Sequence, residues 1–146
     1  MKESHMASPI VVGVDGSPTA RKAAEVARDL AVKLGSPLHV FTAYVKDSVT
    51  PMKVGTEEWV ASTADDAQET AERVVRNVVG DGDAVAASGQ GAPADALIAY
   101  AEEIGAQLIV VGNQRMRGVS RVLGSVANSV SHNATCDVYI ANTYAD

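Results

Sequence analysis

The chain has 146 residues, a formal net charge of −6 at pH 7 and 47% hydrophobic residues. This length is typical of one globular domain, and a pI near 5.0 argues against a nucleic-acid partner, which usually needs a basic protein. No apolar run approaches the roughly 20 residues of a membrane-spanning helix, so no membrane partner is expected. The single cysteine, Cys136, excludes an internal disulfide and favours a cytoplasmic location. Residues 1–8 are expected to be a disordered leader of the kind added for expression, and 9–146 the domain.

Strands and helices are predicted to alternate along the chain. Apolar, β-branched runs predict five strands, over 10–15, 37–45, 83–88, 107–112 and 137–142. Apolar periodicity and terminal glycines predict four helices, over 18–34, about 56–79, 93–104 and 125–132. The loop over 46–56 is long enough to form a lid or an interaction surface.

This alternation predicts the fold class. Parallel strands need crossover connections, and helices supply them. We therefore predict one α/β domain, an open twisted five-stranded parallel sheet with helices on both faces, of Rossmann-like type. Ligands of such sheets bind at the carboxyl ends of the strands, where the strand order reverses. If the first and fourth strands are neighbours, the segments that follow them face one crevice.

The segment after the fourth strand concentrates positive charge in an acidic protein. Residues 110–126 read VVGNQRMRGVSRVLGSV, with arginines at 115, 117 and 121, whereas 78–113 contain no Lys or Arg. Glycine N–H groups approach phosphates closely, and Ser125, expected as a helix N-cap, can donate to one. Asp15, after the first strand, can accept from ribose hydroxyls. These features favour a nucleotide site over a solvated basic loop with an ordinary capping serine.

The same residues resemble the universal stress protein family. The stretches IVVGVDGS, GAPADAL, LIVVGN and LGSV, followed by CDVYI, carry the resemblance, which runs from Pro9 to Asn142. It implies the adenine nucleotide alpha hydrolase-like version of the Rossmann-like fold. Nucleotide-binding members of the family carry glycine, two residues, glycine, nine residues, then glycine and Ser or Thr.

That glycine motif matches in part. The first glycine corresponds to Gly112, and the final pair to Gly124 and Ser125. Arg115 stands at the second glycine, and eight residues rather than nine separate it from Gly124. Arg115 either adds a charged contact to a phosphate or fills the space that the phosphate needs. We expect the charge to prevail, so that Arg115→Gly weakens ATP binding.

The resemblance also implies roles around the motif. Asp15 would contact the ribose, the backbone of Ala43 would read the adenine edge, and Gly91 would lie near the ligand. The complete expected nucleotide-binding set is Gly13, Asp15, Gly16, Ser17, Ala43, Gly91, Gly112, Asn113, Arg115, Gly118, Gly124, Ser125 and Val126. The implied ligand is ATP, AMP or a cyclic nucleotide, with Mg²⁺ held through the phosphates.

Three functions follow from these observations. The first is a non-enzymatic, nucleotide-binding regulator of the stress response, because no base is recognisable beside a nucleophile and no catalytic or metal-ligating set is predicted. The second is a slow ATPase or phosphotransfer enzyme at the same crevice. The third is a nucleotide-free, dimeric interaction module. A homodimer is expected through the apolar edge strand 137–142, and the resemblance implies antiparallel pairing there. No other protein partner is indicated.

Overall fold

The protein is described by a computed structural model over residues 7–45, 63–80, 82–113 and 123–143, and by its backbone alone at 53–54 and 57–58. The strands within these described residues are β1 (Ile10–Gly13), β2 (Leu38–Tyr44), β3 (Lys53–Val54), β4 (Glu57–Glu58), β5 (Ala84–Gln90), β6 (Leu108–Gly112) and β7 (Asp137–Ala141). Five of them form one parallel sheet in the order β5-β2-β1-β6-β7, and β3 pairs antiparallel with β4. The predicted five-stranded parallel sheet is therefore confirmed.

Helices cover both faces of this sheet. They are α1 (Pro18–Leu34), α2 (Ala64–Val74), α3 (Pro93–Ile104) and α4 (Ser125–Asn133), and α2 continues as a π-helical turn over Val75–Val79. Helices α1 and α2 pack on one face, named here the α1/α2 face. Helices α3 and α4 cover the other, the α3/α4 face. Among the described helices, none is long and apolar enough to cross a membrane.

The two faces have different cores because successive side chains of a strand point to opposite sides. On the α1/α2 face, helix α1 buries mainly alanines, at positions 20, 23, 24, 27 and 31, which let it approach the sheet closely. The α3/α4 face holds the bulkier Phe41 and Leu97, both nearly fully buried. Phe41 stacks on Tyr100 with ring centroids 4.9 Å apart.

Several predicted boundaries differ from the structure by one or two residues, and one, the start of the second helix, differs by more. The helix expected over about 56–79 begins only at Ala64, because Thr63 caps it by accepting a hydrogen bond from the backbone N–H of Asp66, at 3.3 Å. Its predicted end before Gly80 is correct, whereas 57–58 form strand β4. Strand β1 ends at Gly13 rather than at residue 15, because the Asp15 side chain turns the chain into α1.

Some predictions fall outside the described residues. The predicted loop over 46–56 lies outside them apart from the backbone of 53–54, and so does the leader over 1–6. Within the described chain, the carbonyl of Ser8 accepts a hydrogen bond from the Gln107 side chain at 2.7 Å.

Candidate functional site

The strand order reverses at β1, which lies between β2 and β6 in the sheet. The chain steps from β1 to β2 and β5 on one side, and then crosses to β6 and β7 on the other. Ligands of open parallel sheets bind at the carboxyl ends of the strands at such a reversal. Asp15, which follows β1, and Asn113, which follows β6, therefore lie at the same end of the sheet beside this reversal, in the region named here the crevice.

Strand β2 extends beyond its neighbour β1 at this crevice. The last bond between them runs from the Val14 N–H to the Phe41 carbonyl, at 2.9 Å. Backbone groups of alternate residues in a strand face the same side, so the N–H and C=O of Ala43 also face the side of β1. The chain has already turned away there at Asp15. Ala43 therefore presents a donor and an acceptor to the crevice, as its expected adenine contact requires.

The turn after β1 exposes the Asp15 carboxylate. One oxygen, Oδ1, accepts a hydrogen bond from the Ser17 N–H at 3.0 Å. Gly16 has a φ of 88°, which favours glycine. The Ser17 hydroxyl accepts from the Ala20 N–H at 3.1 Å and so caps α1. Sequence reasoning missed this cap, although a serine before a proline at the helix start is its usual signal.

The helices that begin at this end of the sheet differ in their caps. Ser17 and Thr63 cap α1 and α2 with side-chain oxygens, whereas the N-caps of α3 and α4, Ala92 and Gly124, make no side-chain cap hydrogen bond. Uncapped N-terminal N–H groups and the helix dipole favour an anion. The favourable positions for a phosphate therefore lie on the α3/α4 face.

The expectation that Ser125 is an N-cap is wrong. Gly124 occupies that position with extended backbone angles, φ −63° and ψ 158°, and Ser125 is the first helical residue. Ser125 is exposed in the first turn of α4, while Val126, the next residue, is half-buried. The Ser125 hydroxyl thus stands beside the helix N-terminus without serving as its cap.

The end of β6 is tied to the chain beyond β7. The Asn113 N–H donates to the Ala141 carbonyl at 3.0 Å, and its side-chain oxygen accepts from both the N–H and the hydroxyl of Thr143, each at 3.0 Å. A Cβ at Gly112 would lie 2.9 Å from the Thr143 Cγ2. Both residues belong to the nucleotide-binding set expected from the sequence. In the structure, packing against Thr143 favours glycine at 112, and the Asn113 side chain is hydrogen-bonded to Thr143.

Local packing and backbone conformation explain why two further expected site positions, 13 and 91, are glycines. A Cβ at Gly13 would lie 2.8 Å from the Leu97 Cδ2, so glycine lets α3 approach the end of β1. Gly91 has a φ of 134° and donates its N–H to the Tyr44 carbonyl at 2.8 Å, just before α3 begins. The expected site residues Arg115 and Gly118 lie outside the described residues, as do the arginines at 117 and 121.

Within the described chain, no group of three His, Cys, Asp or Glu residues is arranged to hold a metal ion. The pKa of His39 is lowered by burial, and burial raises those of Tyr100 and Cys136. His39 is the second residue of β2 and Cys136 precedes β7, so both lie at the end of the sheet opposite the crevice.

Comparison with known proteins identifies the family. The model of the universal stress protein family matches residues 6–142. The chain belongs to the universal stress protein family. A universal stress protein of Mycobacterium tuberculosis (strain ATCC 25618 / H37Rv) is 34% identical over 145 residues, covering 92% of this chain and 95% of that protein. The resemblance stated from the sequence motifs is thereby confirmed.

Solved structures of universal stress proteins share the fold. One, in complex with cAMP, is 28% identical with a TM-score of 0.70, covering 95% of this chain and 99% of that one. Another, from Archaeoglobus fulgidus and in complex with dAMP, is 26% identical with a TM-score of 0.66, covering 92% and 98%. The universal stress protein fold of this chain thus follows from both sequence and structure.

Proposed function

We propose that this universal stress protein binds an adenine nucleotide at the crevice and acts as a stress-response regulator rather than as an enzyme. The observation that carries the proposal is the extension of β2 beyond β1, which leaves the backbone groups of Ala43 facing the crevice beside Asp15. The complexes of similar proteins with cAMP and dAMP support the same ligand class.

The proposed pose assigns each part of the ligand to a different element. The adenine edge pairs with the N–H and C=O of Ala43, the ribose hydroxyls donate to Asp15, and the phosphate meets the uncapped N-terminus of α4 at Ser125. AMP, ATP and cyclic AMP all satisfy this arrangement, and Mg²⁺ would enter only through the phosphates of ATP. A cytoplasmic location stays a prediction from the single cysteine.

Calorimetric titration with AMP, ATP and cyclic AMP tests the binding proposal. Asp15→Ala should weaken binding by about 10- to 100-fold, because hydrogen bonds to a charged group contribute roughly 1.5–3 kcal/mol. Asp15→Asn keeps an acceptor for the Ser17 N–H and separates loss of charge from loss of the turn. Asp83→Ala removes an exposed carboxylate before β5, at the opposite end of the sheet, and should bind like the parent. Failure of the parent to bind all three nucleotides would overturn the proposal.

The non-enzymatic role has a separate test. The Ser17 hydroxyl, a candidate nucleophile near Asp15, already accepts a hydrogen bond from α1 and contacts the Thr19 hydroxyl at 3.1 Å. We therefore expect ATP to be recovered intact after incubation with the protein. Formation of more than one ADP per site would establish the alternative, a slow ATPase.

We also propose that the protein is a homodimer paired along β7. Tyr139 and Ile140 on this edge strand are 43% and 37% exposed, and an unpaired apolar strand edge favours pairing with a second copy. Ile140→Lys should give a monomer in analytical ultracentrifugation. Val85→Lys, at a 45% exposed position on the opposite edge strand β5, should remain dimeric. A parent that sediments as a monomer at micromolar concentration would refute this assignment, and a dimer without bound nucleotide would favour the interaction-module alternative.

A further inference from the structure

We propose that Thr143 is a positioning residue for nucleotide binding, acting through Asn113 and Gly112 at the end of β6. The inference rests on the proposed adenine-nucleotide site, whose crevice is bounded by this strand end. Thr143 lies two residues beyond β7 and 30 residues from Asn113 along the chain, so no local sequence pattern connects them.

Two buried hydrogen bonds connect Thr143 to Asn113, and this pair of bonds is named here the Asn113–Thr143 fork. Thr143 is 4% and Asn113 8% exposed. The Thr143 N–H and hydroxyl both donate to the Asn113 Oδ1, each at 3.0 Å, and the Asn113 Nδ2 donates to the Asn142 Oδ1 at 3.4 Å. Two donors converging on one oxygen fix the orientation of the amide. Because the Asn113 N–H is also bonded to Ala141, both the backbone and the side chain of Asn113 are held.

The methyl group of Thr143 packs against Gly112, the residue before Asn113. The Thr143 Cγ2 lies 2.9 Å from the position that a Cβ would take at Gly112, and Ala23 of α1 lies 3.8 Å from the same position. Gly112 is thus enclosed by side chains on the α1/α2 face. Its backbone is left as the part of this residue that can face a ligand.

These contacts control where the chain leaves β6. Gly112 and Asn113 border the crevice opposite Asp15, so a shift of this strand end alters the space available to the nucleotide. The Thr143 donors are bonded to Asn113 and its methyl group lies against Gly112, so Thr143 acts by holding the residues that border the crevice. A binding site loses its productive geometry when its residues are displaced by about 1 Å. We expect the loss of one donor of the fork to displace the end of β6 by a distance of this order.

The test separates the donor from the methyl group. Thr143→Val keeps the shape and removes the hydroxyl donor, so the dissociation constant for AMP should rise several-fold, up to about tenfold, as expected for one neutral hydrogen bond. Thr143→Ser keeps both donors and should bind within about twofold of the parent. Ser88→Ala removes a comparable hydroxyl bond on the same α1/α2 face, from Ser88 of the opposite edge strand β5 to the Gln68 Oε1 at 3.0 Å, and should leave AMP binding unchanged.

A double-mutant cycle then assigns the effect to the fork. In an Asn113→Ala background, Thr143→Val should no longer change the affinity for AMP, because its acceptor is gone. Amide hydrogen exchange of the parent gives a readout that depends on no variant: AMP should slow exchange at the Thr143 N–H, which donates to Asn113.

The outcomes are distinguishable. Parental affinity in Thr143→Val, equal weakening in Thr143→Val and Ser88→Ala, or unchanged exchange at Thr143 would each overturn the positioning role and leave the proposed function standing. If the parent binds none of AMP, ATP and cyclic AMP, the proposed function fails, and the positioning role fails with it.

Discussion

The two faces of the sheet treat their helix N-termini in opposite ways. On the α1/α2 face, Ser17 and Thr63 each accept a hydrogen bond from one N–H in the first turn of their helix. On the α3/α4 face, Ala92 and Gly124 provide no side-chain acceptor. Within the described residues, the two helix N-termini on one face thus have a side-chain cap, while the two on the other face have none. On the proposed function, the face without side-chain caps is the one that receives the phosphate.

Ionisable groups follow the same division. The described groups with a shifted pKa are His39, Tyr100 and Cys136, and all three lie on the α3/α4 face. On the α1/α2 face, the contacts that hold the structure are instead the packing of the α1 alanines on the sheet and of Thr143 against Gly112. Substitutions matched between the two faces can therefore test the comparison.

The largest effect is expected from Gly112→Ala. The new methyl group would meet Thr143, a β-branched side chain held by two hydrogen bonds, and should lower the free energy of unfolding by about 2–3 kcal/mol. Gly13→Ala, on the α3/α4 face, meets the flexible end of Leu97 and should cost only about 1 kcal/mol. Urea denaturation measures both.

A second substitution checks the cause of that loss. Combining Gly112→Ala with Thr143→Ser removes the opposing methyl and should recover most of the lost stability, since serine keeps both donors to Asn113. A double variant as unstable as Gly112→Ala alone would contradict the packing explanation. Equal costs for Gly112→Ala and Gly13→Ala would remove this difference between the faces.

Local sequence signals predicted much of this architecture. Helix α1 was predicted over 18–34 and α3 over 93–104, as observed, because terminal glycines at 35 and 105 end them in left-handed conformations. The meeting of Asp15 with the end of β6 was also predictable, since the carboxyl ends of parallel strands lie at one end of a sheet. The Asn113–Thr143 fork was not, because its residues meet only through the pairing of β6 with β7. The early start predicted for α2 overlooked the capping signal of Thr63.

Two threonines on the α1/α2 face should respond oppositely to the same substitution. Within the described residues, the Oγ1 of Thr42 is buried without a hydrogen-bond partner, so Thr42→Val should raise the free energy of unfolding by about 1 kcal/mol. Thr143→Val removes a made bond and should lower it by about 0.5–1.5 kcal/mol. Thermal and urea unfolding of both variants provide the measurement, and a loss of stability in Thr42→Val would show that its hydroxyl is satisfied in solution.

Substitutions at the N-caps of α1 and α3 are expected to change the free energy of unfolding less. Ser17→Ala removes the acceptor for the Ala20 N–H and should cost about 1 kcal/mol, whereas Ala92→Ser supplies an acceptor to α3 and should add about 0.5–1 kcal/mol. Ala92 is exposed with extended backbone angles, so serine is accommodated there. Urea denaturation compares the two variants with the parent. No gain in Ala92→Ser would mean that the first turn of α3 is already satisfied without a ligand.

The smallest effect concerns His39, whose Nδ1 lies 2.6 Å from the Tyr100 hydroxyl. Burial lowers the pKa of His39 in the folded protein below its usual 6.5. As the pH falls through 6.5, the unfolded chain therefore binds a proton before the folded protein does, and stability is lost. The stability contributed by neutral His39 is fully present above about pH 6.5, and it is lost as the pH falls from there towards the lowered pKa of the folded protein. Tyr100, whose pKa is raised by burial and by Glu103, stays neutral throughout this range.

The free energy of unfolding should thus decrease between pH 7.5 and pH 5.5 in the parent, and decrease less in His39→Gln, whose amide can still bond to Tyr100. The exposed His132, at the end of α4, provides the control, because His132→Gln should retain the parental decrease. If the proton-linked loss arises from His39, only the first substitution removes it. An equal decrease in the parent and in His39→Gln would show that another group carries the linkage.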